Sequence, residues 1–239
     1  VCLMAETGGG LDRLCSRHGL ASPKHTIPIM KVISHHNATT EQEVLDLIKS
    51  HNDNFCRECR SKGNGTIKDW AKALYDMQKE DEEWRKKSGY KEDYPFTLEE
   101  CEEWFYQLFI VAPLIGVRFE QLCLDELKTW LIPPYIVREA NSHTDIRYGV
   151  DIEIGQIEGR NYNRSFESFR PLVGIQVKSK VYQNARREVK EGLRKRQRKY
   201  SRPVRFMYYD EENDCLFETE KLRTKLHDNY PYAFTLKKS

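Results

Sequence analysis

Residues 149–154 read GVDIEI and residues 172–178 read LVGIQVK. In both runs, apolar and β-branched residues recur in the pattern that predicts a β-strand. Gln176 and Lys178 stand two positions apart and therefore share one face of their strand, while Asp151 belongs to the neighbouring run. The two strands together predict a place where an acid, an amide and a lysine meet.

Helical patterns precede these strands. Thr40 and Thr97 each stand three residues before a glutamate, a capping box that predicts the start of an amphipathic helix. Further helices are predicted over about 66–85 and 114–130, the second of which contains Glu120. Other strands are predicted at 204–209 and 215–218, after a basic helix within 184–199.

These elements predict a mixed α/β (α+β) protein in which helices flank a mixed sheet. The predicted organisation is an N-terminal arm and helical region over residues 1–96, followed by a core over residues 97–239 with a basic helix and a C-terminal hairpin. Residues 1–26 contain a triple glycine and little periodicity, so we expect a loosely ordered arm there.

Composition excludes several classes of protein. The 239 residues are 39% hydrophobic and 32% charged, enough apolar material for a core, which argues against a disordered or fibrous chain. The longest apolar stretch, near 105–114, is interrupted by Gln107 and ends at a proline, so no membrane span is predicted. Residues 1–10 lack a secretory pattern, and the odd number of cysteines is typical of thiols in a reducing compartment. We therefore expect a cytoplasmic protein.

Positive charge is concentrated in one segment. The net charge is only +2, yet residues 186–202 contain nine Lys or Arg against two Glu. Such a segment predicts contacts with DNA phosphates, the alternative being a solvated helix face. Arginine pairs with guanine, and Asn or Gln with adenine, so the neighbouring polar residues are candidate base readers. The candidate DNA-contacting residues are Arg164, Arg170, Gln183, Asn184, Arg186, Arg187, Lys190, Arg194, Lys195 and Arg198.

The predicted acid–amide–lysine site has the ligands that Mg²⁺ prefers. Asp151, the amide oxygen of Gln176, the backbone carbonyl of Val177 and Glu120 from the preceding helix are all hard oxygen donors. Lys178 could orient or deprotonate a water molecule, or offset charge on a phosphorane. This set of groups indicates phosphodiester hydrolysis, and the alternative is a polar strand surface with no catalytic role.

Glu153 shares the parity of Asp151 and is a further candidate for a second negative charge beside the metal. The alternative for this residue is an exposed, solvated acid.

Two short motifs contain soft metal ligands. Cys56 and Cys59 form one CxxC pair, and Cys15 with His18 offers a second pair, with His51 as a substitute. Four such ligands would form a structural zinc site, the alternative being two thiols in a polar loop. The adjacent histidines at 35–36 are interpreted as a surface pair.

The order of a helix with Glu120, a strand with Asp151, a strand with Gln176 and Lys178, a basic helix and a further strand resembles the core of the PD-(D/E)xK nuclease superfamily, with Gln replacing the usual acid. Longer stretches are similar to the MjaI family of type II restriction endonucleases, namely PKHTIPIM (23–30), TLEECEEWF (97–105), IGVRFEQ (115–121), GVD (149–151) and IQVKSKVY (175–182). Residues 1–22 and 51–65 lie outside this resemblance.

The resemblance implies Mg²⁺-dependent cleavage of double-stranded DNA at a short palindrome. Asp151, Gln176 and Lys178 would then form the active-site triplet, with Glu120 as the acid from the helix. A palindrome is matched by a two-fold protein, so a homodimer is expected. Two alternatives remain open. One is a non-catalytic DNA-binding protein with a degenerate nuclease core, and the other is a structure-specific or repair nuclease of the same superfamily.

Overall fold

The structure, a computed structural model, describes residues 10–22, 25–88, 96–158, 168–184 and 187–236. Two of the predicted DNA contacts, Arg164 and Arg186, lie outside these ranges. The chain divides into two compact units, residues 1–117 and 118–239. The boundary between these units falls within a helix that begins at Ala112.

The first unit is helical. Its helices are α1 (Gly10–His18), α2 (Ile29–His36), α3 (Glu41–Asp53), α4 (Ile67–Ser88) and α5 (Leu98–Tyr106). Both predicted capping boxes are confirmed, because the hydroxyls of Thr40 and Thr97 accept from the backbone N–H groups of Glu43 and Glu100. The buried core includes Leu14, Val32, Ile33, Leu74, Phe105 and Ile110.

The prediction of a loosely ordered arm was wrong for residues 10–22. Leu14 and Cys15 are buried in the core of the unit, and Leu11 packs against it. These residues stand at helical spacing, but their apolar face is only three residues long. A face that short is stabilised by tertiary packing rather than by helix propensity.

The two helices predicted on either side of Pro113 form one continuous helix. A π-helical segment (Gln107–Val111) joins α5 to α6 (Ala112–Trp130). The N–H of Ala112 donates to the carbonyl of Gln107, five residues back. Proline has no N–H to donate to the preceding turn, and a local π-turn changes the register of the hydrogen bonds at that point. The chain thus passes Pro113 without a break.

This continuous helix, Leu98–Trp130, is long and apolar enough to cross a membrane by length and composition alone. The sequence had predicted no such span. The core helix of a water-soluble protein passes the same test, and the side chains of Phe105, Leu127 and Trp130 are fully buried by protein. The helix is therefore weak evidence for membrane insertion.

The second unit contains a five-stranded mixed sheet. Its strands are β1 (Tyr135–Glu139), β2 (Ile152–Glu158), β3 (Ser168–Ser179), β4 (Val204–Asp210) and β5 (Cys215–Phe217), and their order in the sheet follows the chain. Helices α7 (Ser142–Tyr148), α8 (Arg187–Gln197) and α9 (Thr219–Asn229) connect or follow them. The mixed α/β class predicted from the sequence is confirmed.

The pairing pattern places β3 at the centre of the sheet. It pairs antiparallel with β2, where Ile152 faces Ile175, and parallel with β4, where Lys178 faces Tyr208. A parallel pair needs a crossover connection, which α8 supplies. Leu193 of α8 is buried and anchors that helix. The antiparallel pairing itself holds the start of β2, next to Asp151, against the C-terminal part of β3.

Candidate active site

Asp151 is held rigidly at the start of β2. Its backbone N–H donates to the carbonyl of Ile175 at 2.9 Å, and its own carbonyl accepts from the N–H of Ala140 at 2.8 Å. Oδ2 of its carboxylate accepts from the backbone N–H of Val177 at 2.7 Å and from the side-chain amide of Gln176. These contacts join the predicted acid directly to β3.

Gln176 is almost completely buried, at 2% exposure, beside Asp151. Its Nε2 donates to the carboxylate of Asp151, while its Oε1 is buried and has no hydrogen-bond partner among the described residues. This oxygen faces Gly149, and a Cβ atom added to that glycine would lie 3.0 Å from the oxygen. An orphaned buried oxygen is energetically unfavourable unless a donor or a cation satisfies it. Rotation of the amide about its terminal bond exchanges nitrogen and oxygen and would turn that oxygen toward Asp151.

The backbone carbonyl of Val177 faces the same side of β3 as its N–H, because the two groups of one strand residue point to the same neighbour. That N–H donates to Asp151. The carbonyl therefore points to the side of β3 on which β2 lies. At this position no residue of β2 pairs with β3, because the pairing begins at Ile152 and Ile175. This placement agrees with the predicted role of Val177 as an oxygen donor.

Lys178 follows two residues after Gln176 on the same face of β3. Burial raises the pKa of Asp151, of Glu120 and of a third acid, Asp145, and the positive charge of Lys178 partly offsets that increase. Among the described residues, no carboxylate lies within ion-pairing distance of its ammonium group. Lys178 therefore influences the acids without being neutralised by any one of them.

Glu120 projects from α6 toward the same acids. The preceding residue, Phe119, is buried and its ring stacks on Tyr209 of β4 with centroids 4.2 Å apart, which fixes this part of α6 against the sheet. Burial first, and then repulsion by Asp151 and Asp145, raises the pKa of Glu120 from 4.5 to about 8. Burial also raises the pKa of Asp151 to about 6. Carboxyl groups that resist ionisation in this way favour a bound cation.

Asp145 is an acid of this site that the sequence analysis missed. It lies in α7, close enough to Asp151 for the two carboxyl groups to influence each other's pKa. Desolvation raises its pKa, while Lys178 and Arg196 lower it. No motif contains Asp145. Only the αL turn at Gly149, whose N–H donates to the carbonyl of Asp145 at 2.7 Å, brings it back beside Asp151.

The three carboxylates do not form a tight ligand cage. Within the part of the chain that the structure describes, only a His/Cys group in the first unit brings three or more candidate ligands within 4.8 Å of one another. Mg²⁺ commonly uses one or two carboxylates and retains several water molecules, so a looser arrangement is compatible with that ion. The residues present thus fit a hydrated, hard cation.

Glu153 does not belong to this site, and the alternative of a solvated acid was also wrong. Its side chain is buried, with Oε2 accepting from Arg138 at 2.8 Å and Oε1 from the hydroxyl of Tyr200 at 2.7 Å. The sequence analysis had placed Glu153 on the same strand face as Asp151 because the two residues are two positions apart. However, Asp151 precedes β2 and turns toward β3, whereas Glu153 lies within the strand.

The predicted DNA contacts of α8 are largely exposed, as a binding surface requires. Arg187, Arg194 and Lys195 are exposed on the helix, and Arg198 follows it. Lys190 is half-buried, with Nζ donating to the carbonyl of Gln183 at 2.5 Å. Asn184 is exposed near the start of α8, and Arg170 is exposed on β3.

The basic helix also approaches the acids. Arg196 of α8 lies near Gly149, and its charge lowers the pKa of Asp145. Positive charge therefore extends from the exposed face of α8 to the edge of the carboxylate group.

We expect DNA affinity to depend on the exposed face of α8. Neutralising Arg194, Lys195 and Arg198 with glutamine should weaken binding to all sequences and flatten the slope of log affinity against log salt by about one unit per lost phosphate contact. Fluorescence anisotropy over a salt series measures this slope. Lys221→Gln and Lys225→Gln, on the exposed face of α9, are the matched control. An unchanged slope in the α8 variant would show that the helix face is only solvated.

The raised pKa of Glu120 predicts a pH-dependent stability. The native state binds its proton more tightly than the unfolded state does. The free energy of unfolding should therefore fall as pH rises from about 4.5 to about 8, by about 5 kcal/mol. Denaturant unfolding across this range measures the effect. Glu120→Gln should remove most of the decrease between pH 6 and 8, whereas Asp125→Asn, at an exposed position of the same helix, should leave it. Equal slopes for parent and Glu120→Gln would contradict the prediction.

The predicted soft ligands are only partly brought together. Cys56 and Cys59 lie in one group with His51, the predicted substitute. Cys15 and His18 lie in α1 and do not belong to that group, so this pairing was wrong. His36, interpreted as half of a surface pair, is instead the fourth member.

The chain matches no protein-family model, and comparison with curated proteins and with solved structures gave no match either. The resemblance to the MjaI family therefore rests on the sequence stretches alone and stays a prediction.

Proposed function

We propose that this protein is a Mg²⁺-dependent endonuclease with a PD-(D/E)xK core, related to the MjaI family of type II restriction enzymes, which cuts double-stranded DNA at a short palindrome. The junction of β2 and β3 supports this activity best. There Asp151 contacts β3 directly, Gln176 and Lys178 share a face, and Glu120 approaches with a raised pKa.

The element order supports the same proposal. The acid-bearing helix α6 is followed by three antiparallel strands, β1 to β3, with α7 between the first two, and then by the crossover helix α8 and the parallel strand β4. The helix with Glu120, the strands with Asp151 and Gln176, the basic helix and the last strand follow one another in the order that the resemblance implied, with β1 and α7 inserted after the first helix. A fold alone does not define an activity, so the site residues carry the functional argument.

Each residue has a defined task in this proposal. Asp151, Glu120 and the carbonyl of Val177 would hold Mg²⁺, together with the Gln176 oxygen once its amide rotates. When bound, the ion polarises the phosphate and acidifies a coordinated water. Lys178, whose ammonium group pairs with no carboxylate among the described residues, would orient the attacking water and offset the negative charge that develops on the oxygens of the phosphorane.

The basic helix α8 would contact phosphates and set the position of the duplex, while Arg170, Gln183 and Asn184 would be available to base edges. A palindrome presents identical half-sites, so we propose a homodimer that binds with its two-fold axis on that of the DNA.

Incubation of the purified chain with several plasmids, with and without Mg²⁺, tests the proposal. We expect discrete fragments whose sequenced ends share one palindrome, and only when Mg²⁺ is present. Cleavage without discrete bands would indicate the structure-specific or repair nuclease instead. DNA binding without cleavage at any divalent metal tested would overturn the nuclease proposal.

One observation favours the non-catalytic alternative. The Gln176 amide donates to Asp151 and so partly satisfies the acid without a metal. In a degenerate nuclease core, this hydrogen bond would replace the cation. The same plasmid assay decides between the two, because a binder needs no Mg²⁺ and leaves the DNA intact.

A further inference from the structure

Four soft ligands from three parts of the first unit meet at one point. His36 is the last residue of α2, His51 lies in the last turn of α3, and Cys56 and Cys59 lie in the turn that follows. One ligand atom from each of the four lies within 4.8 Å of all the others. The site is separate from the carboxylate group of the second unit and shares no residue with it.

The separations match those of a tetrahedral zinc site. Zn–S and Zn–N bonds of about 2.3 and 2.0–2.1 Å at tetrahedral angles place a sulfur and a nitrogen ligand about 3.6 Å apart. His51 Nε2 lies 3.1 Å from Cys59 Sγ, and His36 Nε2 lies 3.7 Å from Cys56 Sγ. The two pairs bracket the expected value, so small side-chain movements suffice to coordinate an ion.

The hydrogen bonds around His51 prepare it as a ligand. Its Nδ1 lies 2.8 Å from the carbonyl of Leu47, to which it can only donate, so the proton resides on Nδ1. Nε2 then presents its lone pair to Cys59. Zinc-bound histidines almost always donate their other ring N–H to an oxygen in this way, which orients the ring and sets the tautomer.

The surroundings favour a structural ion over a catalytic one. His51 and Cys59 are each only 2% exposed, and His36 and Cys56 are half-buried. A Cys₂His₂ set fills all four positions of a tetrahedral ion and leaves none for substrate. Mixed nitrogen and sulfur ligands in this geometry select Zn²⁺ over Mg²⁺ or Ca²⁺, which need oxygen.

Backbone hydrogen bonds hold the CxxC turn in place. The N–H of Cys56 donates to the carbonyl of Ser61 at 2.9 Å, and Ser61 donates back at 3.3 Å. The N–H of Gly63 donates to the carbonyl of His51 at 3.0 Å, which ties the turn to the end of α3. This segment has little apolar content, so the turn is the kind of structure that an ion would stabilise.

We propose that His36, His51, Cys56 and Cys59 bind one structural Zn²⁺ ion, which fastens the C-terminal ends of α2 and α3 to the 56–61 turn. The ion stabilises the first unit and takes no part in phosphodiester hydrolysis.

Metal analysis of the untagged full chain, after exhaustive dialysis, tests this proposal. We expect one zinc per chain. Replacing zinc with Co²⁺ should give the strong visible absorption of a tetrahedral ion, together with thiolate-to-metal charge transfer in the near ultraviolet. A chain that contains no zinc, and takes up neither Zn²⁺ nor Co²⁺ when they are supplied during refolding, would overturn the proposal.

Variants identify the ligands. Cys56→Ser and His36→Gln change the two half-buried positions and should each weaken zinc binding by at least about tenfold and lower the melting temperature. Cys215→Ser, at an exposed cysteine of the second unit, and Cys15→Ser, at a buried cysteine of α1, are matched controls that should keep one zinc. Full zinc retention in both ligand variants would contradict the assignment, even if the parent binds zinc.

The outcome is independent of the nuclease proposal. The Asp151→Ala variant should contain as much zinc as the parent, because Asp151 lies in the second unit and the four zinc ligands lie in the first. A zinc-containing chain that never cuts DNA would leave this inference standing and overturn the proposed function, and a zinc-free chain that cuts DNA would do the reverse.

Discussion

Asp151→Ala is expected to reduce DNA cleavage by at least about a thousandfold while leaving DNA affinity within a few-fold of the parent. The carboxylate of Asp151 meets the backbone of Val177 and the amide of Gln176 at the junction of β2 and β3. In the proposed nuclease, its removal would eliminate an oxygen donor for Mg²⁺. Because its negative charge repels phosphate, DNA binding itself does not require it. Single-turnover cleavage and anisotropy in Ca²⁺ separate the two effects.

Lys178→Ala should cause a comparable loss of cleavage, because Lys178 shares the face of β3 with Gln176 and forms no ion pair with the described carboxylates. Lys180→Ala is the matched control. Lys180 lies two residues further along and pairs with Asp210 and Glu212, so its loss should leave cleavage within a few-fold of the parent. Asp125→Ala, at an exposed acid of α6, is the matched control for Asp151→Ala. Near-normal cleavage by Asp151→Ala or Lys178→Ala would remove that residue from the site.

Two substitutions of Gln176 should have opposite effects on cleavage, because one removes the side-chain oxygen and the other keeps it. Gln176→Leu keeps the approximate volume but removes both the donor to Asp151 and the orphaned Oε1, so we expect cleavage to fall by about a hundredfold or more. Gln176→Glu places a second carboxylate against Asp151. The two charges repel each other until a cation lies between them, so this variant should cleave at lower Mg²⁺ than the parent does.

Metal titrations of cleavage measure this difference. Gln156→Leu, at another strand position of the same sheet, is the control and should behave as the parent. A crystal grown with Ca²⁺ should show the ion about 2.3–2.6 Å from an oxygen of Asp151 and from the side chain of residue 176. If Gln176→Leu cleaves like the parent, the amide is only a hydrogen-bonding group on the strand. The second oxygen ligand must then be Glu120 or Asp145.

Local patterns were sufficient to predict much of the secondary structure. The capping boxes at Thr40 and Thr97 depend on side chains three residues apart, and both helices begin where the boxes predict. The strands at 172–178 and 204–209 were recognised because β-branched and aromatic residues occur together. In contrast, β1 was not predicted, although its first three residues, YIV, are of these same kinds, and α9 has only a narrow apolar face with Leu222 and Leu226 at helical spacing.

Parity along a strand was a poor guide at the start of β2. Asp151 and Glu153 have the same parity, yet Asp151 hydrogen-bonds to β3 while Glu153 is buried against Arg138 and Tyr200. The rule applies only where both residues lie within one regular strand. Asp151 lies outside it, after the left-handed residue Gly149.

The sequence by itself determined the mixed α/β class, the pairing of an acid with a Gln-x-Lys strand, and the CxxC motif, because each depends on neighbouring residues or on a period of two or about 3.6. Only the tertiary structure brought Asp145 to Asp151 and His36 to Cys56, and only it separated Cys15 from the other soft ligands. These contacts join residues whose distance in space is set by helix packing and turns. No local pattern encodes that distance, since a metal ligand needs only the right atom at the right place, from whichever element supplies it.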